Sequence, residues 1–370
     1  MKLSRLPYLI QKEILDHLPI NHLFFLSLCS KNTYNFIKQS QKRQLKKIKT
    51  VHYSINGGTM SINAIIPPQN RDILMCIITS KTSFPIFPQG GLVEQEERVI
   101  EDVRVNVQGT EIDFCRCPAK KSDLHVKYSS IGNRPMESII ETFHNLLYDL
   151  LGNDTMFWLE TGDDTYSLPM LRNIQKLEIC GDRFSSRKIK KFLDQSTCLE
   201  YFSLSTKYEK RRILSENSSI NDMDTLYLDV GCNLARGVMK RFNGRHLFLG
   251  GKNYSKTDVV QFLNAWKSGE KFSNLEVISM ENVFDIQQIR DSMDFKHLDQ
   301  DVIYLFSRKF REPESSLSVP WEFKSDLYIV RESDGHVASV MLTHNRTFFM
   351  GVWNMTEKEF LEKGAKSRVL

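Results

Sequence analysis

Two cysteines, Cys115 and Cys117, stand one residue apart, and two acids, Asp163 and Asp164, follow Gly162. On a strand, the thiols of a Cys-x-Cys pair point the same way, which is half of a metal site. The other half needs further ligands at a fixed spacing. No histidine or cysteine stands beside this pair at zinc-finger spacing, so free thiols are expected. Adjacent carboxylates can divide acid and base roles, but residues 160–166 read as a polar loop. His22, His52, His125 and His246 are isolated in the sequence. Cys29 falls on an apolar helix, where a buried thiol is inert. The chain has no P-loop, GxGxxG, GxSxG or HExxH segment. The expectation is a chain without catalytic, cofactor-binding or metal-binding residues, and without a cofactor.

The elements around these residues belong to an ordinary globular chain. Of the 370 residues, 41% are apolar and 26% charged. That excludes disordered, collagen-like and coiled-coil chains. A net charge of +5 is too small for a nucleic-acid binder. No apolar run nears the roughly 18 residues of a membrane span. Neither nucleic acid nor membrane is therefore expected as a partner. Seven cysteines are scattered without a CxxC pair. The first residues lack the apolar core and cleavage site of a secretory signal. Together these point to a reducing, intracellular location, cytoplasmic or nuclear.

The first forty residues are dense in helical signals. Ile10, Ile14 and Leu18 fall at i, i+4 and i+8, with Leu15 alongside, as one apolar stripe. Pro7 stands where the first turn would begin, and Pro19 ends that helix. Asn21 can cap a second helix over 22–29, and Ser30 a third carrying Tyr34, Phe36 and Ile37. A unit this small is not stable alone, so it packs on the rest of the chain or hides a face against a partner. Residues 38–49 then hold six basic side chains in twelve, which read as a solvated helix face more readily than as a localisation signal.

The order Leu6-Pro7, Ile10, Ile14-Leu15, Leu18-Pro19, Leu23 and Leu26-Ser27-Leu28-Cys29-Ser30-Lys31 closely resembles the F-box. Tyr34 stands where many F-boxes carry tryptophan. The resemblance implies docking onto the Skp-family adaptor of a cullin-based ubiquitin ligase. It places Leu6, Pro7, Ile10, Leu15, Leu18, Pro19, Leu23 and Leu26 at or just behind the docking face. Some of these must serve the internal core, and the sequence does not divide them. The plainer alternative is a helical cap on a globular domain.

After Thr50 the period becomes two. Val51, Tyr53 and Ile55, a turn at Gly57-Gly58, and Met60, Ile62, Ala64 and Ile66 predict a hairpin. Further strands are expected over 73–79 and 99–114, with a loop over 84–97. A helix is expected over 136–151.

The spacing L-x-x-L-x-L, with apolar substitutes, starts at Ile174, Leu199, Met223 and Leu275, with a partial copy at Gly244. Intervals of 25, 24, 21 and 31 residues resemble degenerate leucine-rich repeats. Helices between them, over 186–193, 234–242, 256–266 and 286–293, imply a parallel sheet. The run His246-Leu247-Phe248-Leu249, Gly250-Gly251, Val259 to Trp266 and Asn274-Leu275-Glu276 resembles the type 2 F-box-associated domain of nematode F-box families. The C-terminus reads as a β-meander with a two-residue turn at Asp334-Gly335, then a short helix over 357–361.

The expected fold is mixed α/β: a three-helix F-box, a β-rich segment, an irregular leucine-rich-repeat-like βα region near 170–300, and a β-meander. Residues 1–45 form the F-box and 46–370 a target-recognition region. The third and fifth positions of each repeat face away from the helices. Their aromatic centre, Tyr201, Tyr227, His246 and Phe248, is the candidate target-binding ladder, unless residues 51–128 fold over it. The expected function is substrate recruitment in a Skp–cullin–F-box ligase, toward an unnamed protein substrate. A leucine-rich scaffold without ligase association, or an enzyme with an unrecognised site, are the alternatives.

Overall fold

The computed structural model describes residues 5–56, 59–67, 70–78, 103–107, 110–116, 124–127, 136–162, 168–181, 186–206, 219–230, 232–251, 253–306 and 321–364. The expected loop over 84–97, the Asp163-Asp164 pair and Cys117 lie outside them. The chain divides into two compact units, Met1–Ile174 and Gln175–Leu370. Both mix helices with sheet, as the sequence leads one to expect of an α/β chain.

The first unit opens with four helices: α1 (Tyr8–Asp16), α2 (Ile20–Cys29), α3 (Lys31–Ser40) and α4 (Lys42–Leu45). The Ser30 hydroxyl caps α3 by accepting the Thr33 N–H at 3.1 Å. Asn21 does not cap α2. The helix already begins at Ile20, because Pro19 provides the extended entry at φ −58°, ψ 153°. The buried side of α1 also differs from the expected stripe. Leu15 is fully buried, whereas Ile10 is 49% exposed. The helix stops at Asp16, so Leu18 lies past it and cannot extend a stripe through Ile10 and Ile14.

Among the described residues seven strands follow: β1 (Thr50–Asn56), β2 (Thr59–Ile66), β3 (Asn70–Ile78), β4 (Val103–Val107), β5 (Thr110–Arg116), β6 (Leu124–Lys127) and, after helix α5 (Met136–Leu151), β7 (Met156–Thr161). Within this unit their order is β7-β1-β2-β3-β6-β5-β4. The expected β1–β2 hairpin pairs Ile55 with Met60 and Tyr53 with Ile62. Phe143 and Leu147 of α5 are buried, as are Tyr53 and Ile62 of the hairpin and Phe157 of β7. Leu150 of α5 joins Leu15, Leu23, Ile37 and Leu45 in one apolar cluster, so α5 completes the core of the N-terminal helices.

The second unit carries five parallel strands: β8 (Ile174–Cys180), β9 (Tyr201–Ser205), β10 (Thr225–Asp229), β11 (His246–Leu249) and β12 (Val277–Met280). Helices α6 (Ser186–Gln195), α7 (Cys232–Met239), α8 (Lys256–Lys267) and α9 (Ile286–Ser292) alternate with them. The recurring apolar positions align in rows: Leu177, Phe202, Leu226, Leu247 and Ile278 are successive register partners. The incomplete copy has a steric cause. A Cβ on Gly244 would lie 1.8 Å from the Met223 carbonyl oxygen, so no side chain fits there.

The meander is larger than expected. A strand not foreseen, β13 (Lys296–Phe306), precedes β14 (Trp321–Val330), β15 (His336–Leu342) and β16 (Phe348–Thr356). Strand β16 pairs antiparallel with β12, giving the order β8-β9-β10-β11-β12-β16-β15-β14-β13. Helix α10 (Glu357–Gly364) ends the described chain. The Asp334-Gly335 turn is not a two-residue turn, since Arg331 N–H bonds the His336 carbonyl across a four-residue loop. Asp334 is used there as the carboxylate partner of the buried Arg331, at 2.6–3.1 Å.

Candidate functional site

The first candidate is the apolar surface of the N-terminal helices. The eight side chains expected at or behind a docking face divide by burial. Leu15 and Leu23 are fully buried in the helical core. Leu18 and Leu26 pack against that core and are half-buried, as is Leu6. Pro7, Ile10 and Pro19 are exposed. Two exposed residues were missed, Tyr8 at 58% and Leu9 at 74%. Their signal was in the sequence: Tyr8-Leu9-Ile10 turns through about 200°, more than half a helix circumference, and one core can cover only one side of it. Tyr8 is braced by an edge-on contact with Phe36, ring centroids 5.6 Å apart.

This surface is held from behind. The Tyr34 hydroxyl donates to the Asp149 carboxylate of α5, and Lys38 Nζ reaches the other oxygen at 2.7 Å. Both contacts hold the Asp149 carboxyl below its ordinary range, the Lys38 hydrogen bond most. At the other end, the Gln41 amide donates to Asp16 Oδ1 at 2.9 Å and that of Gln44 to the Asp16 carbonyl at 2.6 Å. The sequence-level departure at Tyr34 thus has a use: a tryptophan N–H there would lack the hydroxyl that meets Asp149 in this arrangement.

The second candidate, the aromatic ladder, is not an open surface. His246 and Phe248 are buried, and Tyr201 and Tyr227 half-buried. Within the second unit the meander covers it: Phe248 and Val277 share a core with Val302, Tyr304, Phe323, Tyr328, Val337, Trp353 and Phe360. Phe248 is therefore corrected from target contact to core, and His246 to a buried polar residue. The reason is the β12–β16 pairing, which carries the meander onto the face opposite the helices.

Two histidines isolated in the sequence have close partners. His52 stacks on Trp158 with centroids 3.7 Å apart and meets Glu160 at 2.8 Å. His246 Nδ1 meets the Thr225 hydroxyl at 2.9 Å and Nε2 meets Glu276 at 3.2 Å, while burial pulls its pKa down. Backbone register also sets His125 opposite Cys115 on one side and Cys76 on the other. Cys29 is exposed, not buried, although partial desolvation still raises its pKa.

A third candidate is a cavity of about 710 Å³ at the amino ends of β10, β11 and β12. The residue preceding each strand faces it: Asp224, Arg245 and Glu276. Arg245 meets Glu276 at 2.7 Å and Asp224 at 3.6 Å.

Comparison with known proteins bears on the first candidate. The sequence model of the F-box domain matches residues 3–45, ending where α4 ends. No curated protein and no solved structure matches the chain. Among the described residues, no helix is long and apolar enough to cross a membrane.

Proposed function

We propose that this chain is the target-recruiting subunit of a Skp–cullin–F-box ubiquitin ligase. F-box domains bind the Skp adaptor within such complexes, and through it a cullin. The match over residues 3–45 carries the reading. The open Tyr8-Leu9-Ile10 turn supports it, since exposed apolar side chains of this size gather at protein interfaces. The chain performs no chemistry of its own. It holds the adaptor by its N-terminal helices and a protein target by residues 46–370, read as an F-box-associated region with leucine-rich-like repeats. Ubiquitin transfer then gains from the raised effective concentration of target beside the conjugating enzyme. The work takes place in the cytoplasm or nucleus.

Affinity purification of the full chain with identification of bound proteins tests the proposal. A Skp-family adaptor should co-purify in stoichiometric amount. Its absence, with the chain folded, would leave a scaffold protein whose first helices are a cap.

A further inference from the structure

The cavity in the second unit carries a charge unlike that of the chain. The whole sequence has a net charge of +5. The cavity wall presents three carboxylates, Asp222, Asp224 and Glu276, and two guanidiniums, Arg245 and Arg331. Arg331 is matched by Asp334, with its Nε and Nη2 both bonded to that carboxylate. Arg245 alone is left to balance the three acids, so the wall is negative by two charges. The position of each acid is imposed by the sheet. The Asp224 carbonyl accepts both the Arg245 and His246 N–H groups, and the Arg245 carbonyl accepts those of Glu276 and Val277. These four bonds extend the parallel ladder one residue beyond the strands and fix the row of charged side chains.

The carboxylates keep acceptor capacity. An ionised carboxylate has about four lone-pair sites. Asp222 accepts from the Asn243 amide at 2.8 Å, and Asp224 accepts from the Thr225 hydroxyl at 3.5 Å and faces Arg245 at 3.6 Å. Leu275, Val352 and Tyr304 also line the cavity. The Tyr304 hydroxyl donates to the Glu276 and Val352 carbonyls. Apolar lining residues beside carboxylates match a long side chain with an aliphatic stem and a cationic head. The cavity volume lies in the range of sites that bury small ligands.

We propose that this cavity is a binding site for a lysine or arginine side chain, presented by a basic segment of a protein target. As a statement about targets it rests on the recruitment reading above. The stem lies over Tyr304 and Val352, and the head is held by Asp222 and Asp224.

The test uses the full chain with the Skp adaptor bound, and a short fluorescein-labelled alanine–serine peptide carrying one arginine. Counterparts carry lysine, citrulline or glutamate in its place. Anisotropy should show binding of the arginine and lysine peptides, weakened by added salt. The citrulline and glutamate peptides should bind at least about tenfold less well. Asp222→Asn together with Asp224→Asn should cost the arginine peptide a similar factor. Asn354→Arg, at an exposed lining position, should block it without touching the core. Equal binding of arginine and citrulline peptides, no peptide binding, or indifference to both variants in chains of unchanged melting temperature overturns the inference. Adaptor retention on the same preparation separates the two readings. A chain that keeps the adaptor and ignores basic peptides sinks the cavity alone. One that binds the peptides without the adaptor sinks the ligase reading alone.

Discussion

The ring of Tyr304 lies directly on the backbone of Gly351, so that a Cβ at position 351 would stand 2.6 Å from its carbons. This contact brings β13 over β16, and the Tyr304 hydroxyl then reaches the Glu276 carbonyl in front of β12. Burial pushes the Tyr304 pKa well up, in keeping with a neutral donor. Gly351→Ala must displace a buried, hydrogen-bonded ring. The expected loss is about 1–3 kcal/mol, as for overpacked cores generally. Denaturant unfolding of the variant measures it. A Gly351→Ala chain as stable as the parent would show that the ring can step aside.

Adaptor docking should depend on the exposed turn of α1 and not on the buried leucines directly. Leu9→Asp with Ile10→Asp should abolish adaptor co-purification and leave the melting temperature unchanged, because both side chains are exposed. Leu23→Ala should instead cost about 2–5 kcal/mol of stability, since the residue is fully buried. If the paired aspartates leave adaptor binding intact, the docking surface lies elsewhere on the helices.

The aromatic ladder predicts a stability phenotype. Phe248→Ala should destabilise the chain by about 3–5 kcal/mol, the cost of emptying a buried aromatic site. Thermal melting reads this directly. A stable Phe248→Ala chain that loses a target would restore the ladder as a recognition surface.

Stability should fall with acidity through His144. Its Nε2–H donates to the Arg172 carbonyl at 2.8 Å, which leaves Nδ1 to accept the Tyr53 hydroxyl at 2.9 Å. Burial lowers its pKa to about 4. A histidine whose folded pKa lies below its unfolded value favours folding fully above the unfolded value of about 6.5, and loses that advantage as pH falls toward the folded one. The window is thus about pH 6.5 down to 4, and the change about 3 kcal/mol at one site. His246, also lowered by burial, adds in the same direction. Urea unfolding between pH 7 and 4.5 should show the slope, and His144→Gln should flatten it. A slope unchanged by that variant would assign the acid sensitivity to other groups.

The sequence was most informative where one local rule decides the outcome. The 16-residue helix Met136–Leu151 stands at its expected bounds because its apolar stripe runs uninterrupted. The parallel strands β8–β12 likewise fall on the recurring apolar positions of the sequence. What sequence could not supply was pairing between distant elements. Nothing in Phe348–Thr356 says that it adds to Val277–Met280, and that pairing buries Phe248. Equally, a list of apolar residues in the first forty positions does not tell Leu15, which is buried, from Leu9, which is not. The helix bounds and α5 decide that. His246 looked alone because its partners come from elsewhere in the chain, Thr225 from β10 and Glu276 from just before β12.

The closure of the N-terminal core by Leu150 has a consequence for how the protein is made. The first four helices leave the ribosome more than a hundred residues before the side chain that completes their packing. Until α5 emerges, Leu15, Leu23, Ile37 and Leu45 share an unsealed interior, and Tyr34 and Lys38 have no Asp149 to meet. A nascent chain in that interval exposes apolar surface that invites chaperones. Competence to hold an adaptor therefore arises late in synthesis, and a truncation just after the F-box match would yield helices without their keystone.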